Sequence, residues 1–157
     1  MTKKELAINY FKQGYNCSQA IVLAFKDELN IDESTLLKIS SPFGGGMGRL
    51  REVCGAVSGM FIVVGLLYGY DNPKQQELKT ELYTKVQDLA KQFELDNGSI
   101  ICRDLLDLKV KHDTPIPEKR TSAYYQSRPC PEKVGYAAQL LDNYLKQLNA
   151  HQSNHND

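Results

Sequence analysis

From Val53 to Tyr70 the chain carries no charged side chain, and the stretch is entered through a glycine-rich turn, PFGGGMGR, at Pro42 to Arg49. Such a run can become a membrane span or a helix buried among other helices. A span needs roughly 20 consecutive, mostly apolar residues. This run is a little short and is interrupted by Gly55, Ser58, Gly59, Gly65 and Gly69. Its neighbours are amphipathic and need a common partner for their apolar faces. The pattern therefore predicts a central core helix, Val53 to Gly69, and no membrane association. Wound at about 100° per residue, Cys54, Gly55, Ser58, Gly59, Gly65 and Gly69 fall within roughly 140° of one another. Glycine costs a helix about 1 kcal/mol relative to alanine. A stripe of them points to close helix packing, to the seam of a homodimer or to a bound group, with Gly55 and Gly59 as the candidate positions.

A chain of 157 residues is long enough for one domain with its own core and without disulfide staples. The expectation is an all-α, single-domain helical bundle over residues 1–149, with 150–157 a disordered tail. Formal net charge is zero and basic residues form no stripe, which argues against a nucleic-acid surface. The start, MTKKELAINY, has an acid at Glu5 and no apolar run behind it, unlike a signal peptide. The expected location is cytoplasmic, where stable disulfides are uncommon.

Local signals place the helices. Thr2 and Glu5 form a capping-box pattern, and Leu6, Ala7, Tyr10 and Phe11 make a helical face closed by Gly14. Asn16 can cap a second helix carrying Cys17, Ala20, Ile21, Ala24 and Phe25. Asp32 can cap a third. Asn72 followed by Pro73 predicts a restart with proline in the first turn, and the long helix that follows ends at Gly98. Ser99 can open a short helix over 100–106. Residues 107–128 show no sustained period and form a loop long enough to imply a function or mobility. Cys130-Pro131 reads as the start of the last helix. No strand and no internal repeat is evident.

The four cysteines, Cys17, Cys54, Cys102 and Cys130, are widely spaced and form no CxxC pair, so neither a zinc ribbon nor a thioredoxin site is indicated. Each falls at or near a predicted helix start. Free N–H groups and the positive end of the helix dipole favour a thiolate there. If the four starts converge, they make a cysteine-only site suited to zinc or an iron–sulfur cluster. Cysteine is also commonly buried as a small apolar side chain. The glycine turn, with Gly45 and Gly46, could let a bound group approach the backbone, but it lacks the Lys-Ser/Thr ending of a P-loop. His112, His151 and His155 have no scaffold that would make them ligands.

The element Cys54-Gly55-Ala56-Val57-Ser58-Gly59, with Cys17 before it in GYNCSQA and Cys102 and Cys130 after it in GSIICRDLL and RPCP, resembles the redox-active family named for its pattern, C_GCAxxG_C_C. Val53 stands where the label prints glycine. The glycine turn FGGGMGR is also similar to the family, which itself resembles part of a dimeric haem protein, the split-Soret cytochrome. This chain has no CxxCH haem-attachment motif. The resemblance implies a redox role for the four cysteines.

Three functions follow. In the first, Cys17, Cys54, Cys102 and Cys130 hold an iron–sulfur cluster or zinc and exchange electrons with a partner the sequence does not identify. In the second, a metal-free thiol–disulfide protein uses Cys54 as the attacking thiolate, with another cysteine such as Cys17 completing the exchange. In the third, the chain is a helical binding module whose cysteines only pack.

Overall fold

The computed structural model describes residues 1–155 of the chain. Its helix starts are built by the local chemistry the sequence marks. Thr2 Oγ1 accepts from Glu5 N–H while the Glu5 carboxylate accepts from Thr2 N–H, opening α1 (Lys3–Lys12). Asn16 and Gln19 close the same reciprocal box at the start of α2 (Cys17–Ala24). A short α3 (Lys26–Leu29) ends at Asn30 in the left-handed region. Asp32 accepts from Thr35 N–H and caps α4 (Glu33–Ser40). After a tight turn at Ser41–Phe43 comes α5 (Gly44–Met47), in which Gly45 and Gly46 are left-handed, so it is a coil of glycines rather than a regular helix.

The central helix is α6 (Gly55–Tyr68), with Cys54 at its cap. Then come α7 (Gln76–Asn97), stopped by Gly98 in the left-handed region, α8 (Cys102–Leu105), α9 (Ser122–Ser127) and α10 (Cys130–His155). Helix α6 packs on α2 and α7, while α10 crosses α6 and also lies along α1, which packs on α2. The core is drawn from all five: Phe11, Ile21, Val57, Met60, Leu89, Phe93, Val134 and Leu141 are fully buried. Each such large side chain contributes about 1.5–3 kcal/mol by leaving water. The protein is thus an all-α single domain, and among the described residues no helix is long and apolar enough to cross a membrane.

Several details differ from the sequence reading. Val53 is not helical; it forms an isolated antiparallel bridge with Ile101. Pro73 is not in a first helical turn. Asn72 accepts from Lys74 N–H and makes a turn, and α7 begins only at Gln76. The loop over 107–128 contains α9, capped by Thr121. The tail expected to be disordered from 150 continues α10 as far as His155, while 156–157 lie outside the described residues. Helix α6 is buried on all sides only in its first half. Leu66 and Leu67 are 38% and 36% exposed.

The glycine stripe of α6 is used within the chain. A Cβ at Gly59 would stand 2.7 Å from Ile21 Cβ, and one at Gly55 would stand 3.0 Å from Cys17 Cβ, both on α2. These two glycines are therefore closed to a partner molecule. A Cβ at Gly65 would meet nothing within 4 Å. The two positions should respond to alanine with opposite signs. Gly65→Ala is expected to raise stability by up to about 1 kcal/mol through helix propensity. Gly59→Ala is expected to lower it, and Gly59→Leu to cost at least about 1–3 kcal/mol by overpacking. Urea denaturation of the three variants checks this.

Candidate functional site

The turn that leads into α6 is unusually coiled. Gly45, Gly46, Met47, Gly48, Arg49 and Arg51 all have positive φ, a conformation that costs non-glycine residues energy and persists only where surroundings enforce it. Here they do. Glu52 N–H donates to Gly46 O at 3.0 Å, and Arg103 donates to Arg51 O through both its main-chain N–H and its Nη1. The coil sits tightly on α8 and α2. A Cβ at Gly46 would lie 2.5 Å from Cys102 Cβ, and one at Gly44 would collide with the Asn16 side chain.

After the coil the chain pairs with the segment before α8. Cys54 N–H donates to Ile100 O at 2.7 Å and Cys102 N–H donates to Glu52 O at 2.6 Å, flanking the Val53–Ile101 bridge. Side chains alternate across such a pairing, so Cys54 and Cys102 share the side opposite Val53 and Ile101. Cys17 is the first residue of α2 and Cys130 the first of α10. All four cysteines line one cavity of about 270 Å³, together with Gly44, Gly45, Gly46, Gly48 and Gly55. The convergence of helix starts expected from the sequence is therefore present. Gly59 does not line the cavity; it belongs to the α6–α2 contact.

Charged groups ring the thiols. Arg51 is buried, donates through Nη1 to Cys102 Sγ at 3.6 Å and through Nη2 to Asp113 Oδ2 at 3.0 Å, and leaves its Nε without a partner. Arg49 pairs with Asp113 at 3.2 Å and Glu118 at 3.8 Å, and Arg128 pairs with Glu118. Arg120 spans the cavity wall. Its Nη atoms donate to Phe11 O and Tyr15 O, and its guanidinium lies 4.2 Å from the Phe11 ring centre and 4.9 Å from that of Tyr124. Neither Arg120, Arg128, Asp113, Glu118 nor Lys133 was marked by the sequence. For the four in the loop over 107–128, that long loop was the only signal, and Lys133 on α10 had none, since its contact with Asn97 lies 36 residues away.

The four thiols, alike in sequence setting, differ in chemistry. Cys130 has Cys17 beside it and is attracted by Arg128, Arg120 and Arg51. Together these outweigh burial and bring its pKa down to about 7. Cys17 is pushed well up by Cys130 beside it and by its partial burial. Burial pushes Cys54 up to about 12, although the N–H groups of Ala56 and Val57 pull the other way. Burial also raises Cys102, against the Arg51 hydrogen bond. The helix-start donors expected to favour a thiolate at Cys54 are therefore in place, but desolvation exceeds them. Of the four, only Cys130 is shifted downward.

As arranged, the thiols share a cavity without sharing a coordination sphere. Among the described residues, no three His, Cys, Asp or Glu side chains are grouped so as to hold a metal ion. Zinc–sulfur bonds of about 2.3 Å demand tighter convergence. All four cysteines are free thiols.

The approach of the coil to α8 can be tested directly. Gly46→Ala places a Cβ against Cys102 at a left-handed position. It should cost more than about 1 kcal/mol and should speed Cys102 alkylation by loosening the wall, with urea denaturation and site-resolved mass mapping as the two readouts.

Comparison with known proteins agrees with this arrangement. A family described as "Putative redox-active protein (C_GCAxxG_C_C)" matches residues 15–144, a span that holds all four cysteines, the glycine coil and the loop that carries Arg120 and Arg128. No curated protein and no solved structure matches. By that match over most of its length, the chain belongs to the C_GCAxxG_C_C family.

Proposed function

We propose that this protein is a thiol–disulfide exchange protein in which Cys130 attacks and Cys17 resolves. The observation that carries the reading is the placement of Cys17 and Cys130, each the first residue of its helix, in one cavity with Arg120 and Arg128. An attacking thiol works best with a pKa near the ambient pH, and Cys130 alone among the four meets that condition.

The Cys130 thiolate attacks one sulfur of a substrate disulfide, RS–SR, forming a mixed disulfide and releasing RS⁻. Cys17 loses its proton to the leaving thiolate or to water. Its sulfur then attacks the Cys130 sulfur, forming the Cys17–Cys130 disulfide and releasing the second RS⁻. The substrate gains two electrons and the protein loses two. An external dithiol, the electron partner of this reading, restores both thiols. Cys54, first expected to attack, stays protonated at neutral pH beside Cys102, and Cys54→Ser should leave the first exchange intact.

The pH dependence follows from the sign of the shift. Thiolate increases as pH rises through the pKa, so Cys130 alkylation should rise to half its maximum near pH 7. Cys17→Ala removes the neighbouring thiol and should move that midpoint upward. Treating reduced protein with a small disulfide should yield a Cys17–Cys130 linkage by mass mapping. Should Cys130 react no faster than Cys54 at pH 7, the assignment fails.

Four thiols on one cationic cavity also support a second reading, in which Cys17, Cys54, Cys102 and Cys130 close around an iron–sulfur cluster or zinc. It requires the sulfurs to draw together from their present positions. Anaerobically purified protein with visible absorbance and stoichiometric iron, or colourless with stoichiometric zinc, would favour it. Protein free of metal that forms the Cys17–Cys130 disulfide would favour exchange.

A further inference from the structure

We infer that the thiol cavity is a binding site for a small carboxylate-bearing disulfide, whose anionic groups are held by Arg120 and Lys133 while its sulfurs meet Cys130. This names the substrate class for the exchange reaction above and rests on that reading.

The charge balance around the cavity carries the inference. Five cationic side chains line it: Arg49, Arg51, Arg120, Arg128 and Lys133. Their carboxylate partners among the described residues are two, Asp113 and Glu118, and both are taken by Arg49, Arg51 and Arg128. Arg120 and Lys133 have no carboxylate partner among the described residues. Arg120 is held by main-chain carbonyls and aromatic rings, and Lys133 Nζ by Asn97 Oδ1 at 2.8 Å. Neutral partners of this kind fix the position of a cation without cancelling its charge. Arg51, 5% exposed, lines the same cavity as a buried cation whose Nη groups are committed to Cys102 and Asp113.

The dipoles add to this. The N-termini of α2, α6 and α10 all face the cavity, through Cys17, Cys54 and Cys130, and each contributes positive potential. The remaining wall, with Leu105, Leu106, Pro115, Pro117 and Tyr124, is apolar and suits short methylene chains. At about 270 Å³ the cavity falls just below the usual range of roughly 300–1,000 Å³ for drug-sized ligands, so the occupant is small. A dianion with an apolar middle and a central disulfide matches each of these features.

The test uses the reduced full-length protein and three disulfides that differ in charge: 3,3′-dithiodipropionate, bis(2-hydroxyethyl) disulfide and cystamine. The dianion should form the Cys130 mixed disulfide about tenfold or more faster than the neutral compound, and the dication more slowly still. The advantage should shrink at about 1 M salt, where the screening length is about 3 Å. Lys133→Gln and Arg120→Gln should each reduce the dianion-to-neutral rate ratio, a quantity from which any change in Cys130 ionisation cancels. Equal rates for the three probes would overturn the inference and leave the exchange reaction standing. If none of them reacts, the exchange reading falls, and the anion site is judged separately. Adipate slowing iodoacetamide labelling of Cys130, with 1,6-hexanediol having no effect, then supports it, and equal behaviour of the two overturns it.

Discussion

The site depends on how closely backbones approach where no Cβ stands between them. At Gly55 the start of α6 meets α2 beside Cys17, at Gly46 the coil meets α8 beside Cys102, and at Gly44 it meets the Asn16 cap. A side chain at any of these positions would push one helix start away from the others. The cost is conformational, since glycine loses more freedom on folding than any other residue. It is offset by the hydrogen bonds that tie the coil down, chiefly those flanking the Val53–Ile101 bridge and those onto Gly46 O and Arg51 O. Packing thus decides where the thiols sit before any chemistry of sulfur enters.

Within that frame, environment sorts four like residues into different roles. Desolvation raises every thiol, and only a group with enough donors and cations overcomes it. Cys54 has two N–H donors and is still pushed up, whereas Cys130 is pulled down with Cys17 and three arginines around it. Arg51 is shared between Cys102 and Asp113, which divides its effect. The two carboxylates that anchor Arg49, Arg51 and Arg128 hold the arginines in place against the thiols, and they leave the cavity cationic because Arg120 and Lys133 are tethered by neutral groups.

Much of the fold was legible because it is local. The Thr2–Glu5 box, the Asn16 and Asp32 caps and the Gly98 stop each involve residues within a few positions, and the structure builds each as the sequence marks it. One error was local and one was not. Asn72 satisfies Lys74 in a turn rather than capping a helix at Pro73, and Val53 pairs with Ile101 instead of opening α6. A helix period cannot reveal a single bridge between segments so far apart.

The sequence by itself determined an all-α chain, its central apolar helix, and four cysteines set at helix starts, because caps, glycine stops and apolar spacing act within one or two turns. Tertiary structure alone decided how the surroundings of the four thiols differ. Arg120 reaches Phe11 O and Tyr15 O across more than a hundred residues, and Cys17 meets Cys130 from the opposite end of the chain. Charge and desolvation at a sulfur are sums over everything nearby, and in this fold the neighbours arrive from α1, α2, the glycine coil, the loop after α8, and α10.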